Sequence, residues 1–268
     1  MKLHRLMVAA LLCGCALGGQ AQSLQDTMPP TTVHYHFSQL QLNPDVSYHA
    51  PRLRMSIASS MLAYGFAALA TPPLKEVNYS TKAEIQEDHA GFSTRIDNYL
   101  QWSPAIAVYG LNAVGIKGAH NFADRSIIYG LSCAIMAGSS RILKKVTHEQ
   151  RPDGSNYESF PSGHTSTAFA AAEFMRMEYR DVSPWYGYVG YAAAAATGVL
   201  RMYNNRHWFS DVVAGAGLGI LSTQAAYALY PHVNRLLHPK AARERMILMP
   251  YYDYNWHSTG LSLAVIMQ

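Results

Sequence analysis

The chain has 268 residues, 49% of them hydrophobic and 14% charged. That is enough to bury a full core as one domain, with charge well below the roughly 25% usual for soluble domains. A net charge of +4 and a pI near 8.9 permit an anionic partner. No long basic tract or aromatic-basic stripe is present, so nucleic-acid binding is set aside.

The first residues, MKLHRLMVAALLCGCALGGQAQS, place Lys2 and Arg5 ahead of an apolar run from Leu6 to Leu17 and a small-residue ending at Gly19-Gln20-Ala21. This reads as a signal peptide over residues 1–21, and it predicts export to the periplasm or cell envelope. Leu12-Cys13-Gly14-Cys15 offers a second reading, a lipoprotein signal with Cys15 lipidated. Once residues 1–21 are removed Cys133 is the cysteine that remains, so neither a disulfide framework nor a cysteine metal site can be built. Residues 22–50 are polar, broken by Pro29, Pro30 and Pro44, and alternate in TTVHYHFSQLQL, which predicts an extended N-terminal arm. His34 and His36 share one face of a strand there. Without a third ligand nearby, they read as an exposed edge rather than a metal pair.

From residue 51 to 235 about six apolar stretches are long enough for helices, near 53–70, 102–116, 125–143, 164–179, 186–201 and 211–231. Gly, Pro, Asn and Asp clusters separate them, as in TPPLKEVNYS and RDVSPWYG. The expectation is an all-α bundle of about six helices. Charge-free windows run from Met55 to Leu74, from Val182 to Leu200 and from Val212 to Asn234, each near the ~20 residues a membrane span needs. Lys and Arg are shared evenly between the two sets of loops, and the mean hydropathy is only -0.05. These favour a bundle seated at a membrane surface over one that passes through it, with spanning kept as the alternative. Trp185, Tyr186, Tyr188 and Tyr191 gather at one helix start, where core packing is the simpler reading and an interfacial aromatic belt the other. Residues 236–268 form a tail that alternates around Ser258-Thr259-Gly260, which predicts a short β-hairpin turning there.

Three clusters carry the chemistry. Lys144-x6-Arg151-Pro152 ends one helix, Pro161-Ser162-Gly163-His164 opens the next, and Arg201-x5-His207-x3-Asp211 lies two helices further on. In an up-and-down bundle the second and third clusters emerge at the same end. A phosphoryl group spreads charge over its oxygens, so fixed cations are needed: Lys144, Arg151 and Arg201 supply them. Ser162 and Gly163 offer a neutral donor and a close backbone approach at a helix N-terminus. The i, i+4 spacing of His207 and Asp211 puts both on one face of a helix that begins near His207. A carboxylate there fixes the imidazole tautomer and leaves the other nitrogen free to attack phosphorus, while His164 remains for acid-base work.

Taken together, the three clusters resemble the tripartite signature of the type 2 phosphatidic acid phosphatase and vanadium haloperoxidase superfamily, over roughly residues 50–235. Ten motif positions agree, and Leu200 stands where that signature has a serine. The resemblance implies a PAP2-like helical domain that hydrolyses phosphomonoesters or pyrophosphates through a phosphohistidine, with no metal and no cofactor. It implies His207 as nucleophile, Asp211 as its partner and His164 as the acid-base residue. Lys144, Arg151, Ser162, Gly163 and Arg201 would then form the phosphate pocket. Export and apolar composition point to a lipid-linked phosphate and a membrane surface as partners, and the oligomeric state is left open. Two other functions stay open: a vanadate-dependent haloperoxidase using the same pocket, and a non-catalytic envelope protein. Lys145, His148 and Glu149 read as a solvated helix end, Asn204, Asn205 and Arg206 as substrate contacts or loop shapers, and His89, His120, His238 and His257 as surface or core residues.

Overall fold

The computed structural model describes residues 52–237, 245–253 and 258–266; the predicted signal peptide and N-terminal arm lie outside them. The described residues form eight helices, α1 (Arg52–Ala70), α2 (Pro72–Asp88), α3 (Ile96–Leu100), α4 (Ser103–Ala113), α5 (Phe122–Thr147), α6 (Gly163–Tyr179), α7 (Pro184–Tyr203) and α8 (Phe209–Leu237), followed by a hairpin of β1 (Arg245–Asp253) and β2 (Ser258–Ile266). The fold is all-α apart from that hairpin. It has two helices more than the apolar stretches suggested. Helix α2 is polar, with Lys75, Glu76, Lys82, Glu84, Glu87 and Asp88, so a search for apolar runs passes over it. Its Pro72-Pro73 pair starts a helix rather than breaking one, because the first helical amides need no intrahelical acceptor. Helix α3, five residues long, is too short for any periodicity to show.

Helix ends follow local chemistry. Asn121 caps α5 by accepting from the Asp124 amide, Lys144 and Lys145 occupy its last turn, and His148 closes it in the left-handed region at φ 48°. Ser183 caps α7 ahead of Pro184. The hairpin strands pair antiparallel from Arg245 with Ile266 to Asp253 with Ser258. Ser258, Thr259 and Gly260 therefore belong to β2 and are not the turn.

Helix α6 is the centre of the bundle. Nearly every residue from Thr165 to Tyr179 is buried, because its Ala-rich surface lets α4, α5, α7 and α8 pack on all sides. Glycines allow close approaches along α8: a Cβ on Gly215 would sit 2.7 Å from the Ser162 carbonyl oxygen, and one on Gly217 would sit 2.5 Å from that of Ala58. Two carboxylates lie inside this helix. Glu173 takes a forked pair from Arg176 at 2.7 and 2.6 Å, the Tyr191 hydroxyl at 2.5 Å and the Gln224 amide at 3.3 Å, so α6, α7 and α8 meet on it. Glu178 accepts from the Tyr227 hydroxyl and meets His120 Nδ1, each at 2.7 Å. His120 is thus a partnered residue within the bundle.

Much of the outer surface is apolar. Windows in α1, α5 and α8 are long and apolar enough to cross a membrane, yet only 17% of the α1 window and 22% of the α5 window are buried inside the protein, against 67% for α8. Leu53, Ile57 and Phe66 on α1 and Phe122, Ile142 and Val146 on α5 face outward. Trp185 and Tyr188 are 71% and 63% exposed, so these two are surface aromatics and the core-packing reading fails for them.

Candidate functional site

The three sequence clusters sit where α5 ends, α6 begins, α7 ends and α8 begins, which is one end of the bundle. Specific bonds tie them together. The Ser162 amide donates to the Asp211 carbonyl at 3.0 Å, and the Ser159 hydroxyl donates to Asp211 Oδ2 at 2.5 Å. The indole of Trp208, next to His207, donates to the Gln150 carbonyl at 2.8 Å, which fastens the Arg151 loop beside it. Lys144 Nζ reaches back across this loop to the carbonyls of Glu158 at 2.6 Å, Pro161 at 2.8 Å and Ser159 at 3.4 Å. Its protons therefore hold the loop, and its charge faces the site.

His207 is almost fully buried, with Nδ1 3.6 Å from Asp211 Oδ2. That is longer than a good hydrogen bond. The aspartate oxygen accepts instead from Ser159 and from the Trp208 amide at 2.9 Å. Helix α8 begins at Phe209, so His207 lies in the preceding turn, and the expectation that it shares a helical face with Asp211 is corrected. His164, in the first turn of α6, meets Asn98 Oδ1 through Nε2 at 2.8 Å. Arg201 is buried at the end of α7 and pairs through Nη1 with Asp97 Oδ2 at 2.6 Å. Ser162 is fully buried and its hydroxyl accepts from Thr165 at 2.9 Å. Gly163 is the first residue of α6, and Leu200 is half-buried on α7.

Electrostatics show that these groups share one locality. Burial is the main force pushing both His207 and His164 down to about 4. Arg201 presses on His164 next, opposed by Asp97, with Arg151 and Lys144 adding to it. His207 is supported by Asp211 against Lys144 and Arg201. Burial and then Arg201 also hold Arg151 below its ordinary value. Both rings are neutral near pH 7 in this field of three cations. Arg151 Nε and Arg201 Nε are buried donors without a hydrogen-bond partner, and His207 Nδ1 and Asp211 Oδ1 are likewise unpaired. Buried donors seldom go unsatisfied. Two guanidinium edges beside one lysine suit a tetrahedral oxyanion. Among the described residues no three His, Cys, Asp or Glu side chains group as metal ligands.

Several residues here carried no sequence signal. Asp97, Asn98 and Ser159 stand 104, 66 and 52 positions from their partners. Asn204 bonds both the amide and the carbonyl of Thr94, at 2.9 and 3.0 Å, so it shapes the loop. Arg206 pairs with Asp153 at 2.9 Å across the rim. Lys145 and His148 are exposed, and His148 stacks on Tyr157.

The segment that supplies α5 to α8 matches a known family model, described as the PAP2 superfamily, over residues 125–235. Across 225 residues, 83% of this chain, the sequence is 34% identical to the lipid A 1-phosphatase of Porphyromonas gingivalis. The match takes in 49% of that relative, so the chain spans about half its length. Among solved structures, the chain resembles Aquifex aeolicus LpxE, with a TM-score of 0.42 and 16% identity over 54% of this chain and 93% of that one. It also resembles a transmembrane PAP2-type phosphatidylglycerolphosphate phosphatase from Bacillus subtilis, with a TM-score of 0.43 and 23% identity over 68% and 98%.

Proposed function

We propose that this protein is an exported, membrane-associated phosphatase that removes a phosphate from a lipid-linked phosphomonoester or pyrophosphate without a metal ion. The observation that carries this reading is the meeting of Lys144, Arg151 and Arg201 with two histidines at one end of the bundle, where both arginine Nε groups are buried and unpaired. The relative named as a lipid A 1-phosphatase and the outward apolar faces of α1 and α5 support a lipid over a soluble ester.

In the mechanism, the three cations draw the phosphate oxygens into the pocket and stabilise charge in the transition state. Neutral His207, with Nδ1 toward Asp211, attacks phosphorus through Nε2, and the P–O bond to the leaving group breaks. His164 gives that oxygen a proton. An arriving phosphate dianion turns the local field from cation-rich to anion-rich, which raises the proton affinity of His164 at the moment an acid is needed. The phosphohistidine is then hydrolysed: His164 takes a proton from water, the hydroxide attacks, the P–N bond breaks and inorganic phosphate leaves.

The test measures phosphate release from a panel of lipid phosphates, lipid A 1-phosphate and undecaprenyl pyrophosphate among them, and from p-nitrophenyl phosphate, all in EDTA. Release from a lipid in EDTA, inhibited by vanadate and reduced by about 10³-fold or more in His207→Ala, is expected. Undiminished turnover in His207→Ala would falsify the nucleophile.

A further inference from the structure

Two side chains of the site come from α3, which lies outside both the three clusters and the 125–235 family match. They are consecutive. Asp97 pairs with Arg201, and Asn98 meets His164. We infer that α3 is a positioning element, in which Asn98 sets the tautomer of His164 and Asp97 sets the orientation of Arg201. This rests on the phosphatase reading above and goes beyond it by adding residues to the machinery.

The argument for Asn98 is one of donor and acceptor. A carbonyl oxygen can only accept, so Oδ1 at 2.8 Å requires the proton of a neutral ring to sit on Nε2 and leaves the lone pair on Nδ1. An amide also differs from a carboxylate in carrying no charge. It orients the ring without holding it as imidazolium, whereas His207 has Asp211 beside it. A ring that must both give and take a proton in one cycle needs orientation without that fixed bias. The residues charged toward His164 are Arg201 from α7, Asp97 from α3, Arg151 from the loop after α5 and Lys144 from α5. Asn98 adds nothing to that balance. It is also exposed, so packing gives no reason for it.

Asp97 acts on the neighbouring cation. It is 1% exposed, and Oδ2 takes Arg201 Nη1 at 2.6 Å and the Asn204 amide at 3.3 Å. The guanidinium is held by Nη1, and Nε is left for another acceptor. Asn204, three residues past Arg201, bonds Thr94 on both backbone atoms and so anchors α3 to the end of α7. The arginine and the element that orients it are thus tied at two points.

Asn98→Asp and Asn98→Ala test this at an exposed position where unfolding is not expected. Asn98→Asp places a carboxylate on His164, and the alkaline limb of kcat/KM for phosphate release should move up by about one pH unit. In Asn98→Ala, kcat should fall by about tenfold or more with KM and thermal midpoint little changed. Unaltered kcat and pH limb in both variants, or losses that track a lowered midpoint, overturn the inference while the phosphatase reading stands. A wild type that releases no phosphate defeats that reading instead. The tautomer is then read independently from the ¹⁵N shifts of the His164 ring, assigned against His164→Gln. Protonation at Nε2 in the wild type and a changed pattern in Asn98→Ala are expected, and protonation at Nδ1 overturns the inference.

Discussion

His207 shows how a single residue couples stability to pH. Its folded pKa is about 4, below the ordinary 6.5, chiefly because burial disfavours the imidazolium. Between pH 6.5 and 4 the unfolded chain binds a proton that the folded chain refuses, so stability is complete above 6.5 and falls as the pH drops through that window. The slope contributed by this ring reaches about 1.4 kcal/mol per pH unit. Denaturation midpoints recorded from pH 7 to 4.5 should therefore fall more steeply for the wild type than for His207→Gln, and parallel curves would contradict the assignment. Ser159 offers a second residue-scale prediction. Its hydroxyl donates to Asp211 Oδ2 at 2.5 Å in a fully buried position. Ser159→Ala removes a hydrogen bond to a charged group, worth about 1.5–3 kcal/mol, and lets the carboxylate turn from the His207 ring. Turnover in that variant should drop by about tenfold or more while His207 remains in place, as steady-state kinetics with the purified protein can read. Lys144, Arg151, Ser162, His164, Arg201, His207 and Asp211 were all legible in the sequence because each cluster is local in the chain. Ser159, Asp97 and Asn98 were not, because a lone polar residue in a loop has no pattern until its partner arrives.

At the scale of elements, α5, α6, α7 and α8 bring the clusters to one end of the bundle, and the separation of α6 from α8 sets the spacing of His164 and Asp211. Gly215 is a point of close approach beside the site, opposite the carbonyl of Ser162, two positions from His164. In Gly215→Ala the added Cβ would meet backbone at 2.7 Å, which a rigid helix cannot yield without moving. Loss of stability of about 1–3 kcal/mol is expected, although alanine is the better helix former by about 1 kcal/mol. A more stable Gly215→Ala protein in chemical denaturation would show that the helices do not pack this closely. Glu173 makes the opposite kind of contact, a buried carboxylate shared by α6, α7 and α8. Removing it in Glu173→Ala should cost about 3–5 kcal/mol, since the Arg176 guanidinium loses the group it forks onto inside the bundle. The six apolar helices were readable from hydrophobic runs. Helices α2 and α3 were not, because their value to the fold is polar: Asn78 of α2 exchanges two bonds with Ser210 at the start of α8, and α3 bonds Arg201 and His164.

The whole molecule presents apolar helices outward. Among the described residues Leu53, Ile57, Phe66, Phe122, Ile142, Val146, Trp185 and Tyr188 are exposed, and the apolar windows of α1 and α5 are little buried inside the protein, which suits a lipid surround. The expected behaviour is that the protein partitions with membranes, stays there through high-salt and alkaline carbonate washes, and comes into solution with detergent. Release by salt alone would point to a surface attachment.

By itself the sequence determined the all-α class, six of the eight described helices and the residue types of the candidate pocket. Hydrophobic runs, caps and motif spacings are properties of neighbouring residues, and they need no knowledge of the rest of the chain. Only the tertiary structure decided that α6 is the buried centre, that α1 and α5 turn their apolar faces out, and that α3 supplies partners to Arg201 and His164. Those facts depend on which helix packs beside which, and side chains 52 to 104 positions apart meet only when the packing brings their helices to one end of the bundle.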